Sequence, residues 1–428
     1  MALVLPGGGA RGAYEAGALS VLLPILSQRG EDPVILCGTS VGAINVAVLA
    51  SLAHEPAAVG AERLVAIWSG LERGEVVERV LGPATVRSLV RGGAGLLGLP
   101  FGGPSGLLDP TPLTASLGRW VDWERVHRNV SLGHVDALCT IATSLERGGA
   151  VAFVESRDPP PPARPGADLA YEAVRLGTDH VRASGAIPFV FPPVEIREPA
   201  RAAGYYIDGG TRLNSPIAPA LALGADRVVV IGFAPFGPAP ARPDGVSQGR
   251  PSFADVASNV LDGLLLDQVG ADLHRLAAVN ANFVEGSVNT PAGAARRQRA
   301  GKGESPYRRI SYALVAPQDR SEVARIAERV TRERVGGLRA IRHPEHALLA
   351  HLFGMGGRGA ELLSFLLFDG AFAGELIEAG RRDAQRWVDR HPNLWCSDGR
   401  HDFDLLPGDP EAEREVTALE EWRSLNRR

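Results

Sequence analysis

Three short blocks in this chain hold the residue types that acyl transfer needs. The first is Gly38-Thr39-Ser40-Val41-Gly42, a G-x-S-x-G sequence. It follows the apolar run Val34 to Cys37 and precedes a small-residue stretch reaching about Leu52. On a tight strand-to-helix turn, a serine projects its Oγ at the strand's C-terminal edge, and flanking glycines remove the Cβ clashes such a turn creates. The helix N-terminus that follows favours negative charge at that spot. In a chain with 51 glycines the same letters also arise by chance. Gly38 and Gly42 therefore count as a nucleophile elbow only if the context agrees.

The second block, Pro6-Gly7-Gly8-Gly9-Ala10-Arg11-Gly12, sits at the preceding strand-to-helix junction. In a parallel sheet this junction opens at the same edge as Ser40, where open α/β folds bind ligands. Successive glycines let several N–H groups point at one oxygen, as an oxyanion hole requires. Gly7, Gly8, Gly9 and Gly12 are the candidates, with Arg11 bracing the loop or adding positive charge. The block also satisfies the dinucleotide fingerprint Gly7-x-Gly9-x-x-Gly12. That fingerprint needs a ribose-binding acid after the second strand. Here Glu31 and Asp32 precede it and Cys37-Gly38-Thr39-Ser40 ends it, so no cofactor is expected.

A serine nucleophile needs a base. Asp208, in Tyr205-Tyr206-Ile207-Asp208-Gly209-Gly210, stands at a strand end before two glycines that permit close approach; the same letters also make a plain β-turn. A histidine could instead complete a Ser-Asp-His triad. His274, His343, His346, His351, His391 and His401 all follow Asp208, but none occupies a strand-end loop.

Taken together the blocks resemble the bacterial patatin-like phospholipases. Gly7 to Gly12 resembles that family's glycine-arginine oxyanion block, Gly38 to Gly42 its nucleophile elbow, and Asp208-Gly209-Gly210 its D-G-G motif. Ala183-Ser184-Gly185-Ala186-Ile187-Pro188 resembles its A-S-x-x-x-P segment. The resemblance covers about residues 1–232. It implies a three-layer α/β/α fold around a mainly parallel sheet, and cleavage of lipid carboxylic esters by a Ser40–Asp208 dyad without metal, nucleotide or other cofactor. Two other readings compete: an α/β-hydrolase-type Ser-His-Asp esterase, and a non-catalytic lipid-binding protein that keeps the fold.

The elements that must position these blocks are legible as alternating patterns. Ala2 to Leu5, a helix over about Ala13 to Gln28 and Val34 to Cys37 form a β-α-β unit. Further strands are expected at Ala137 to Thr143, Val151 to Glu155, Tyr205 to Ile207, Val228 to Gly232 and Ile310 to Ala316. Phe253 to Asn280 repeats apolar residues at near-helical spacing, and the chain reads as helical from about Ser321, including Ala360 to Phe368 and Ala371 to Arg390. A catalytic domain over 1–320 with a helical C-terminal extension over 321–428 is the expected organisation. The glycine-rich apolar stretch Leu96 to Leu108 and the basic stretch Arg296 to Arg309 are candidates for meeting anionic lipid surfaces.

Composition narrows the partners. With 45 basic against 49 acidic residues the net charge is −4, and the pI near 6.2 leaves no basic footprint for nucleic acid. The N-terminus lacks the basic and apolar regions of a signal peptide, and no run of 18 apolar residues crosses a bilayer. A cytoplasmic protein with an acyl-ester substrate and at most peripheral membrane contact is expected; oligomeric state is not encoded legibly. Cys37, Cys139 and Cys396 lie too far apart in sequence to suggest a disulfide framework.

Overall fold

Uninterrupted apolar runs become strands where both faces of a sheet are covered, because no polar face is then needed. All four residues of β1 (Ala2–Leu5) and all five of β2 (Ile35–Thr39) are buried. The computed structural model describes residues 1–76, 109–162, 168–188, 190–235, 310–335 and 358–396. There β3 (Ala137–Ser144), β4 (Ala150–Ser156), β5 (Leu169–Ala173), β6 (Val194–Ile196), β7 (Gly204–Asp208), β8 (Arg227–Ile231) and β9 (Ser311–Val315) complete one nine-stranded sheet. Its path is β5-β4-β3-β2-β1-β8-β9, with β7 paired to β3 and β6 to β7. From β3 to β9 the neighbours are parallel, while β4 and β7 run antiparallel to β3.

Helices flank the sheet in an α/β/α arrangement: α1 (Gly12–Gln28), α2 (Val41–Ser51), α3 (Ala57–Ser69), α4 (Thr111–Trp120), α5 (Trp123–Leu132), α6 (Thr178–Ser184), α7 (Ile217–Ala222), α8 (Glu322–Val335), α9 (Arg358–Leu366) and α10 (Gly370–Arg390). Every strand expected from the sequence is present. β5 and β6 were not expected, for physical reasons: β5 is a half-exposed edge strand, and β6 is three residues long between prolines. The helix expected over 253–280, the apolar stretch 96–108 and the basic stretch 296–309 lie outside the described residues.

The C-terminal helices share one core with the N-terminal strands. α10 lies along α1, burying Phe372, Leu376 and Ile377, and begins where Asp369 accepts the N–H groups of Ala371 (2.9 Å) and Phe372 (3.3 Å). Tyr14 OH on α1 donates to Asp383 Oδ2 (2.7 Å), and burial followed by the Asp383 charge raises the Tyr14 pKa well above its ordinary value. Beyond α10, Cys396 exchanges two 2.9 Å backbone hydrogen bonds with Tyr312, covering the outer edge of β9. The fold also brings two distant cysteines together, since Cys37 and Cys139 are register partners on β2 and β3. All three cysteines are buried and none is in a disulfide. No helix among the described residues is long and apolar enough to cross a membrane.

Candidate active site

Ser40 stands between β2 and α2 with φ 52° and ψ −120°. A positive φ is uncommon for a residue with a Cβ and is held only where the surroundings demand it. Here the demand is steric. A Cβ on Gly42 would lie 2.1 Å from Leu5 O, and one on Gly38 2.4 Å from the Gly42 carbonyl carbon. Glycine at both positions lets α2 start hard against the end of β1, and the chain turns sharply at Ser40. The free first-turn N–H groups and dipole of α2 then lie beside the hydroxyl.

β3 acts as a common ruler for the serine and the aspartate. Its Ile141 is in register with Thr39 of β2, and its next residue, Ala142, with Asp208 of β7. β7 therefore continues beyond the point where β2 turns away, and the two chemical groups meet at one sheet edge. Asp208 is 1% exposed. Its Oδ1 accepts the Gly210 N–H (2.7 Å), while Oδ2 makes no hydrogen bond of normal geometry. Burial pushes its pKa up from 3.8 to about 6; the Ser40 hydroxyl and the Gly210 N–H pull in the opposite direction. A carboxylate with pKa near 6 is ionised at neutral pH yet basic enough to take a proton.

The segment after α6 holds both groups by their backbones. Ser184 Oγ accepts the Ser40 N–H (2.8 Å) and donates to Ile141 O; two residues on, Ala186 O accepts the Asp208 N–H (2.8 Å). The sequence marked Ser184 only as part of the A-S-x-x-x-P segment, without a role for its side chain.

The glycine block forms the loop beneath Ser40. Gly7 donates its N–H to Asn214 Oδ1 (2.9 Å), and Asn214 Nδ2 returns a bond to Gly7 O (3.3 Å). Gly7 is therefore a loop anchor rather than a free oxyanion donor. The N–H groups of Gly8 and Gly9 donate to no acceptor among the described residues. Gly12 opens α1 under Val41 and Trp68. Arg11 is fully buried; its Nε and Nη2 donate to α9 and so brace the loop, while Nη1 has no partner among the described residues. Asn214, four residues past Gly210, carried no signal legible in one sequence.

An apolar pocket extends from Ser40. It follows α2 past Val41, Ile44 and Val48, with α3 (Leu64, Ile67, Trp68) and α4 (Leu113, Trp120) opposite and Gly9, Ile187 and Phe368 completing the wall. Asn45 also lines it, but its polar atoms are engaged: Nδ2 donates to Glu15 Oε2 (2.7 Å) and Gly12 O (3.2 Å), and Oδ1 accepts from Trp68 Nε1 (3.0 Å). Glu15 is fully buried, and burial raises its pKa well above the ordinary carboxylate range despite the Asn45 bond. The cavity therefore has an almost wholly apolar wall, as sites for lipid-like ligands do.

The model of the family described as patatin-like phospholipase matches residues 3–221. The chain belongs to the patatin-like phospholipase family. Its members are lipid acyl hydrolases, and the mainly parallel sheet with flanking helices is the patatin-like fold. Among similar solved structures is the crystal structure of VipD from Legionella pneumophila, 12% identical with a TM-score of 0.33, covering 91% of this chain and 67% of that one. Among curated proteins no significant match was found. The matched patatin-like region contains Ser40, Asp208, the glycine block and Ser184, and ends before Phe233, α9 and Phe368. Of the histidines that follow Asp208, His391 alone is among the described residues; it stacks on Trp387 (3.8 Å) at the end of α10. His180 lies on α6, where burial pulls its pKa down to about 4 and Nδ1 accepts the Gly177 N–H (3.2 Å).

Proposed function

We propose that this protein hydrolyses the carboxylic ester of an acyl lipid, as a phospholipase A or lysophospholipase does, with Ser40 as nucleophile and Asp208 as sole general base. The observation that carries the reading is a buried Asp208, its pKa pushed to about 6, brought to the same sheet edge as Ser40 beside an apolar cavity. As Ser40 Oγ attacks the acyl carbonyl, Asp208 takes the hydroxyl proton. The N–H groups of Gly8 and Gly9, with the start of α2, hold the oxyanion. Collapse breaks the ester bond, and the leaving alkoxide receives the proton from Asp208. Water, deprotonated by Asp208, then attacks the acyl-Ser40 ester; the acyl–Oγ bond breaks, Asp208 returns the proton to Ser40 Oγ, and the fatty acid is freed.

The cavity supports a lipid rather than a small polar ester. Val41 to Val48 spans about 10 Å of helix at 1.5 Å per residue, and burying methylenes there is favourable at about 0.8 kcal/mol each. Intact mass after incubation with a fluorophosphonate, alongside release of fatty acid from a panel of lipid esters, tests the reading. Wild type is expected to gain one phosphonyl group, Ser40→Ala none, and Asp208→Asn only slowly. Ester turnover that survives Ser40→Ala in a folded protein refutes it, and loss of activity on replacing one late histidine favours a triad instead.

A further inference from the structure

The guanidinium of Arg11 is fully buried in the loop under Ser40, although the proposed chemistry gives it no reacting atom. A buried charge persists only where protein groups replace its water. Here α9 supplies them for Nε and Nη2, while Nη1 has no partner among the described residues. Nε and Nη2 donate to Ser364 Oγ (2.9 and 2.6 Å), and Nη2 also reaches Glu361 Oε1 (2.7 Å) and Glu361 O (3.2 Å). Phe365 lies against the guanidinium, its ring centroid 3.8 Å from Cζ. The Ser364 hydroxyl donates in turn to Glu361 O (2.6 Å), so it is oriented to accept from Arg11.

A second contact joins the same helix to the same loop. Gly9 adopts φ +57°, and a Cβ there would lie 2.3 Å from Phe365 O, so the loop backbone rests directly on the end of α9. Two residues past α9, Phe368 forms part of the cavity wall beside Gly9 and Ser40. All of these partners lie beyond residue 221, where the family match ends.

We propose that α9 is a working part of the active centre, with Ser364 and Glu361 as positioning residues that hold Arg11 and thereby fix the Gly8 and Gly9 N–H groups relative to Ser40. The proposal rests on the serine hydrolase reading above. A run of glycines has many backbone conformations of similar energy, so without an anchor the donors lose their aim. A misplacement of about 1 Å in such a site costs roughly 10²-fold in rate.

The test uses the full chain carrying Ser364→Ala, Ser364→Thr, and Ser364→Ala/Glu361→Gln. Steady-state hydrolysis of a short soluble nitrophenyl ester is measured alongside the rate of Ser40 phosphonylation by a fluorophosphonate, whose P–O oxygen occupies the oxyanion position. Ser364→Ala is expected to lower kcat roughly 10- to 100-fold with KM nearly unchanged and phosphonylation slowed in step. The double variant is expected to be slower still, and Ser364→Thr, which keeps the hydroxyl, to recover most of the rate. A folded Ser364→Ala protein with wild-type kcat and phosphonylation rate overturns the proposal. So does a loss that tracks falling Tm and is not recovered by threonine, since that marks a purely structural contact. A wild-type protein that neither cleaves ester nor takes the probe overturns the hydrolase reading itself.

Discussion

Replacing Asp208 by Asn is expected to abolish turnover and, at neutral pH, to make the protein more stable. The carboxyl is buried, and its pKa rises from 3.8 to about 6 on folding, chiefly through desolvation. The native state therefore binds this proton more tightly than the unfolded chain does. Below pH 3.8 both states are protonated and the group contributes nothing. As pH rises towards 6 the unfolded chain ionises first, and native stability falls by about 1.4 kcal/mol per pH unit. Above pH 6 the penalty is constant at about 3 kcal/mol, two units at 1.36 kcal/mol each. Asn cannot ionise, and its Oδ1 still accepts the Gly210 N–H. Thermal unfolding of wild type and Asp208→Asn at pH 4, 6 and 8 measures the difference; the variant's Tm advantage is expected to be near zero at the lowest pH and a few degrees at the highest. An advantage that is absent at pH 8, or that shrinks as pH rises, refutes both the burial argument and the base assignment. In the wild type, kcat/KM for a soluble ester is expected to fall as pH drops through about 6, when the base becomes protonated.

Three further expectations follow from the geometry. Ser184→Ala removes the acceptor of the buried Ser40 N–H, an orphaned donor costing about 1–3 kcal/mol; kcat should fall at least tenfold by the order of such losses while KM on a soluble ester stays put, and wild-type kcat would show that the elbow holds itself. Asn214→Ala frees Gly7 at both its N–H and C=O, so burst-phase acylation should slow more than KM changes; an unaltered burst removes Asn214 from the site. Val48→Phe narrows the cavity away from Ser40, and esters of long acyl chains should lose kcat/KM by tenfold or more at about 1.4 kcal/mol per decade while an acetyl ester keeps its rate. A uniform change across chain lengths would place the acyl group elsewhere.

The blocks around Ser40 and Asp208 were legible because strand-to-helix turns impose local rules. Gly38 answers to a clash inside the elbow itself, although Gly42 answers to Leu5 O on β1, and the apolar runs that became β1, β2, β3 and β8 are what doubly covered strands require. The β-α-β order then fixed the edge on which the chemistry lies. What the local pattern lacked was any trace of partners distant in sequence. Asn214 bonding Gly7, Ser184 holding Ser40 by its N–H, and Ser364 and Glu361 enclosing Arg11 span separations of 207, 144, 353 and 350 residues. A Gly8→Ala change, which the sequence alone reads as a loss of oxyanion donors, also drives a Cβ to 2.3 Å from the Phe233 ring. The roles of Arg11 and Gly7 turned on the same point. A guanidinium and an N–H group each have donors to satisfy, and the sequence names the donors. Which acceptors reach them was decided by packing, where β3 sets Thr39 and Asp208 opposite successive residues and α9 closes over the glycine loop.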